Sequence, residues 1–341
     1  MAMGSILIFR PGALGDAVLT LPLIEALLES GVQRIVLAGT PQSWSFLSPD
    51  FKPLEILDFG SRDWLDLFGG GPALGPRAIE QVSGLEAALV LLGRGREPIE
   101  RALAKAGIGR VAGAEPPSLG EATSEPWPEA AVEVLWPPDV AHASRRLLAT
   151  LPALGLALAS RPAPRPLVGH PLLAPSEDET ALALRSIGFS APPKAGVLAV
   201  HPGSGGAAKC WPVEHFAALA TLAVERLRLL PVFLIGPADA ARWQALKSAL
   251  SSGVEPRALV ERPLREVLAL LSIARAHIGN DSGITHLAAR AAPTLALFGP
   301  TDPRVWHPLG PRVVVLRAPN GKLVRLAPTR VFDALAKLSR T

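Results

Sequence analysis

Four short stretches of this 341-residue chain carry side chains whose types and spacing could do chemistry. In the first, FRPGALGDAVLTLP at 9–22, one carboxylate, Asp16, follows Arg10-Pro-Gly12 and a second glycine, Gly15. A carboxylate there can cap a helix by accepting free N–H groups. It can also act on a ligand, because glycines at a strand-to-helix turn let a ligand approach the backbone. Gly12-x-x-Gly15 is not the dinucleotide fingerprint G-x-G-x-x-G, which counts against a simple NAD enzyme. In the second, LAVHPGSGGAAKCWPVEHF at 198–216, Gly203, Ser204, Gly205 and Gly206 can expose consecutive N–H groups and Lys209 adds a mobile cation. Those parts suit a diphosphate, yet the spacing and ending of a P-loop are absent; the bland alternative is a turn with a surface lysine. The third, at 273–303, crowds Asn280, Asp281, Ser282 and Gly283 at one turn before a helix that carries His286. Such a turn recognises phosphate and sugar oxygens, although Asp281 or Ser282 could simply cap the helix. Thr301 and Asp302 in the following FGPTDP read first as turn formers. In the fourth, LIGPADAARW at 234–243, Asp239 is either a cap or an acceptor for ribose hydroxyls.

These groups need elements to position them, and the chain supplies an alternation. Strands are expected near 5–9, 34–38, 54–58, 87–92 and 131–135, then near 196–201, 231–235, 275–279 and 293–298. Helices are expected near 16–29, 97–106 and 140–154, then near 212–228, 238–251, 264–273 and 283–291. Pro22 should kink the first helix, unless that helix starts later with Thr20 as its cap. Alternation of this kind means an α/β fold of parallel sheets with helices on both faces. The Pro-rich run RPAPRPLVGHPLLAP at 161–175 reads as a linker between two domains.

The totals bound the function. Hydrophobic content is 49% with mean hydropathy +0.30, but no apolar run reaches the roughly 18–20 residues of a membrane span, and no signal peptide is expected at the start. A single cysteine, Cys210, excludes an internal disulfide framework and fits a reducing compartment. Residues 1–150 hold 12 Lys and Arg against 18 Asp and Glu, which leaves 22 against 12 for 151–341. A basic second half suits a polyanionic ligand or is a solvated surface. Nucleic acid is disfavoured, because no dense basic run with interleaved aromatics occurs.

In order and spacing, RPGALGDAVLTLP, HPGSGGAAKCWP, LIGPADA and GNDSGITHLAARAAPTLALFGPTDPRVWHPLG resemble glycosyltransferase family 9, the bacterial heptosyltransferases of lipopolysaccharide assembly. Weaker likeness at AALVLLGRGREPIERALAKAGIGRVAG and VAHASRRLLATLPALGL extends the resemblance over nearly the whole chain. It implies a GT-B architecture, two Rossmann-like domains facing a cleft. Residues 1–170 would bind the acceptor and 171–327 the nucleotide-sugar donor, with a helix at 328–341 that could pack back on the first domain. It further implies an inverting, metal-independent transfer of a heptose or related sugar from a nucleotide-activated donor, usually ADP-heptose, with no other cofactor. The acceptor would be a glycolipid of the lipopolysaccharide core, met at the cytoplasmic face of the inner membrane in transient contact with its surface.

By the same resemblance Asp16 is the general base, and Lys209 with the Ser204–Gly205 amides stabilises the departing diphosphate. Asp281, Ser282, Gly283 and His286 match the donor-binding turn, with Asp239 beside it, and Arg262 to Leu264 lies where the base of the nucleotide packs. Arg10, Gly15, Arg94 and Arg96 form the acceptor side. The acidic first half is awkward for an acidic acceptor. The segment FGSRDWLDLFGGGPALGPR at 59–77, with Trp64, Leu65 and Phe68, reads equally as a lid, a lipid-facing loop or a partly buried helix. Two alternatives stay open: the same fold using another nucleotide sugar or a non-lipid or protein acceptor, and a catalytically silent nucleotide-sugar-binding protein. Retention of Asp16 together with Lys209 argues against the silent binder.

Overall fold

The computed structural model describes residues 3–64, 74–93, 95–117, 127–128, 130–134, 141–156 and 171–340. The chain forms two compact units: 1–45, 49–119 and 139–163 make the first, and 46–48, 120–138 and 164–341 the second.

In the first unit five parallel strands lie in the order β3-β2-β1-β4-β5. They are β1 (Ser5–Phe9), β2 (Arg34–Gly39), β3 (Leu54–Asp58), β4 (Ala87–Leu91) and β5 (Arg110–Ala114). The central strands β1, β2 and β4 are near-continuous buried apolar runs, as a parallel sheet covered on both faces requires. The helices are α1 (Leu14–Glu29), α2 (Pro41–Trp44), α3 (Pro76–Val82), α4 (Arg96–Lys105) and α5 (Ala143–Leu148). Every residue of α1 from Ala17 to Leu27 is buried, and apart from Thr20 and Glu25 that stretch is apolar, as a helix covered on all sides requires. Its outer side meets α5, where Ser144 Oγ donates to the Leu19 carbonyl at 2.7 Å. Helix α1 starts two residues earlier than expected and runs through Pro22, so Thr20 is an interior residue and not a cap. Trp64 is fully buried, 5.6 Å from the Phe9 ring, so it does not face lipid; Leu65 and Phe68 lie outside the described residues, as do 161–170 of the expected linker.

The second unit holds a seven-stranded sheet in the order β6-β12-β11-β10-β7-β8-β9. Its strands are β6 (Val132–Val134), β7 (Val197–His201), β8 (Leu230–Ile235), β9 (Ala258–Val260), β10 (Ala274–Asn280), β11 (Thr294–Phe298) and β12 (Val313–Arg317). All pairs are parallel except β6, which runs antiparallel against β12 at the edge. The strand expected at 131–135 therefore belongs to the second sheet. The helices are α6 (Glu177–Ser186), α7 (Val213–Leu222), α8 (Ala240–Ala249), α9 (Leu264–Ser272), α10 (Gly283–Ala289), α11 (Pro303–Trp306) and α12 (Pro328–Ser339). Helix α12 packs on α7 and on β10, β11 and β12, with Val331, Leu335 and Leu338 in the core. It belongs to the second unit. Residues 46–48 also join this unit: Arg265 donates to the Phe46 carbonyl and Ser48 N–H to Leu172.

Candidate functional site

In an open parallel sheet, ligands bind outside the carboxyl ends of the strands where the order reverses. In the first unit that point lies between β1 and β4, since β1 pairs with β2 on one side and with β4 on the other. Arg10 follows β1 directly and spans this gap. Its Nη1 donates to the carbonyl of Leu91, the last residue of β4, at 3.3 Å, and its Nη2 to Asp16 Oδ1 at 2.7 Å. The other carboxylate oxygen accepts from Ala13 N–H at 3.1 Å. Asp16 is thus in the first turn of α1, three residues past the cap position held by Ala13. Gly12 makes the arrangement possible: a Cβ there would come within 2.5 Å of the Asp16 Cβ.

The Asp16 side chain keeps 33% exposure while Arg10 keeps only 7%. Burial lowers the Arg10 guanidinium below its ordinary value and the Asp16 charge opposes that shift. Arg10, expected on the acceptor side, is a buried partner that holds Asp16. Gly15 sits beside Asp16 in the same turn. Arg96 opens α4 and pairs with Glu100 one turn on, at 3.4 Å, and Arg94 lies outside the described residues.

The second unit reverses its order between β7 and β10, and most of the expected donor residues meet there. Asp281, just past β10, is the hub. Its Oδ2 accepts from Lys209 Nζ at 2.8 Å and from Thr301 Oγ1 at 2.7 Å, its carbonyl accepts from Ser204 Oγ at 2.6 Å, and His286 Nε2 stands 3.9 Å from Oδ1. Lys209, expected as a mobile cation, is pinned by this pair. Ser282 caps α10 by accepting from Thr285 N–H, and its hydroxyl meets His201 Nδ1 at 3.0 Å. Gly283 opens α10 behind that cap, where the first N–H groups have no intrahelical acceptor.

Asp239 is brought to the same edge, 3.5 Å from His201 Nε2 and accepting from Gly236 N–H at 3.0 Å. Burial alone would raise its carboxyl, but the hydrogen bond and charge of His201, the Gly236 N–H and Arg242 outweigh it and hold the group below its ordinary value. Gly203 lets the loop pass this carboxylate: a Cβ there would lie 2.0 Å from Asp239 Oδ1. Gly205, by contrast, faces open space. Leu264 opens α9, which follows β9, two strands from β7 in the sheet.

Three residues of this network have roles that the sequence reading did not assign: Asn280 and Thr301 were read only as turn residues and His201 only as a strand end. Asn280 ends β10 and locks the small-residue loop, donating to the Pro202 and Gly203 carbonyls at 2.8 and 3.2 Å while its Oδ1 accepts from Trp211 N–H at 2.9 Å. His201 links Ser282 to Asp239. Thr301 joins Asp281, whereas Asp302 does cap α11 as expected of a turn residue. The available signal was their common position just past an apolar run. Behind them His277 is wholly buried, and burial with the nearby His201 drives its imidazole well below the ordinary value. The thiol of Cys210 is raised, chiefly by burial, so it is not an activated nucleophile.

Residues 168–335 match the model of glycosyltransferase family 9 (heptosyltransferase). Lipopolysaccharide heptosyltransferase 2 of Salmonella typhimurium is 30% identical over 205 residues, 54% of this chain and 58% of that one. Lipooligosaccharide heptosyltransferase 2 of Haemophilus ducreyi is 28% identical over 131 residues, 36% of each chain. The matched stretch thus spans between about a third and three fifths of these curated relatives. Among solved structures, the E. coli ADP-heptose lipopolysaccharide heptosyltransferase II superposes with a TM-score of 0.71 at 21% identity, over 98% of both chains. Residues 168–335, which include Lys209 and Asp281, thus form a glycosyltransferase family 9 domain, and the fold of the solved heptosyltransferase is shared along the whole chain.

Proposed function

We propose that the chain is an inverting, metal-independent glycosyltransferase that moves a heptose or related sugar from an ADP-activated donor to an acceptor of the lipopolysaccharide-core type. The observation that carries this reading is Asp16, a carboxylate at the switch point of its sheet, held on one oxygen by Arg10 and on the other by Ala13 N–H and still one-third exposed. A base in this role takes the proton of the acceptor hydroxyl as that oxygen bonds to the anomeric carbon. The bond from that carbon to the diphosphate breaks, and ADP leaves with the electron pair. Charge develops on the diphosphate, and fixed donors are what such a leaving group needs. Lys209, with the amides of the 203–206 loop and of Ser282 and Gly283, supplies them in place of a metal ion. Support for the ADP-heptose donor and the lipid acceptor comes from the relatives' names alone. Acceptor contact at the cytoplasmic face of the inner membrane is part of the proposal; among the described residues no helix is long and apolar enough to cross a membrane.

Asp16→Asn tests it. The amide keeps an acceptor for Arg10 but cannot take a proton, so transfer should fall at least about a hundredfold while ADP affinity stays near wild type. Because Arg10 is buried and loses its counter-charge, stability should also fall, by about 1–3 kcal/mol. Transfer within a few-fold of wild type in a folded Asp16→Asn protein would make Asp16 a structural partner of Arg10 and nothing more.

A further inference from the structure

A basin of the second unit lies at the amino ends of β7, β8 and β10, the edge opposite the Lys209–Asp281 network. Its volume is about 650 Å³, and Gly196, Leu229 and Ser339 form part of its wall. Since β7 is only five residues long, the two edges are roughly 15 Å apart. Five cationic side chains line the basin, Lys194, Arg226, Arg228, Arg275 and Arg340, with no Asp or Glu among the lining residues. Among the described residues none of the five is in an ion pair; Arg275 donates only its Nε, to the Ser339 carbonyl at 2.9 Å. Two helical ends point here, the turn at Ala223–Leu227 and α12. Together they offset roughly one charge, so about four positive charges remain uncompensated.

The backbone reinforces this concentration. Ala223–Leu227 is a π-helical turn that ends at Arg228 in the left-handed region, φ 53°. Glycine is the ordinary residue at such a position, and π-turns concentrate at functional sites. An arginine here carries a conformational cost that glycine avoids, and it places a guanidinium at the basin.

We propose that this basin is a second anion site, which binds phosphate groups independently of the donor network. Guanidinium groups bind phosphate through paired N–H donors, and four of the five cations are arginines. The site stands on unit geometry alone and does not depend on the transferase reading.

The test compares wild type with Arg226→Glu/Arg340→Glu, neither residue having a place in the Asp16 or Lys209–Asp281 machinery. Lys194→Ala is the milder variant should the double one not fold, and Tm together with ADP binding reports on the integrity of the unit. One arm titrates inorganic pyrophosphate by calorimetry; the other sediments phosphatidylcholine vesicles with and without phosphatidylglycerol at rising salt. The expected result is a binding event in wild type that weakens by about tenfold or more in the variant while ADP still binds. Loss confined to pyrophosphate identifies a soluble phosphate compound as the occupant, and loss confined to phosphatidylglycerol vesicles identifies a lipid headgroup. Equal behaviour of wild type and variant in both arms overturns the proposal.

Discussion

At the scale of single residues, the pinning of Lys209 changes what its removal should do. In Lys209→Ala, the buried Asp281 loses a 2.8 Å charged partner but keeps the Thr301 hydroxyl. A charge-assisted contact to the diphosphate should be lost as well, so ADP affinity is expected to fall by about 1.5–3 kcal/mol, with a smaller loss of stability. Calorimetry giving unchanged ADP affinity would leave the lysine with only its structural pairing to Asp281. His277 supports a second expectation. Its folded-state value is driven well below 6.5, so below about pH 6.5 the unfolded chain takes up a proton that the folded chain refuses. Stability then falls with pH by up to about 1.4 kcal/mol per unit. Urea titrations between pH 7.5 and pH 5 should show a shallower fall for His277→Gln than for wild type; parallel curves would mean that the buried ring is not the group responsible.

The elements decide how these residues meet. Loops after β7, β10 and β11 become neighbours because those strands pair in parallel, β10 lying between the other two. The first loop tolerates no side chain at Gly203 and has room at Gly205, which separates packing from binding. Gly203→Ala must displace Asp239 or the loop and should cost about 1–3 kcal/mol of stability. Gly205→Ala should change stability by less than about 0.5 kcal/mol, yet weaken ADP binding if a diphosphate lies against that amide. Thermal melts combined with ADP titration check both, and an unaffected ADP affinity in Gly205→Ala would remove this amide from the donor site.

For the molecule as a whole, the reading rests on which nucleotide sugar the chain accepts. A ligand at 100 times its Kd adds about 2.7 kcal/mol of stability. ADP-linked sugars should therefore raise Tm more than UDP- or GDP-linked ones at equal concentration. A preference for a UDP sugar would remove the heptosyl donor and leave the family fold intact.

What the sequence determined by itself was local and periodic. Apolar runs placed β1, β2, β4, β7, β8 and β11, because a strand buried on both faces must be apolar throughout, while β3 (LEILD) and β10 (ARAHIGN) were expected on weaker patterns. Glycines and short polar residues after those runs marked Asp16, Ser204, Asp239 and Asp281 as edge positions. Weak segments were illegible: β5 is RVAGA, rich in small residues, and β9 has three residues; β6, VEV, was expected as a strand but gives no sign of its partner. Only the tertiary structure decided pairings distant in sequence. Arg10 reaches Leu91 across 81 residues, Thr301 and Lys209 converge on Asp281, and the five cations gather at the opposite edge of the sheet. Periodicity records which face of an element is buried, whereas these contacts depend on strand order, and parallel crossovers make strand order a property of the assembled sheet.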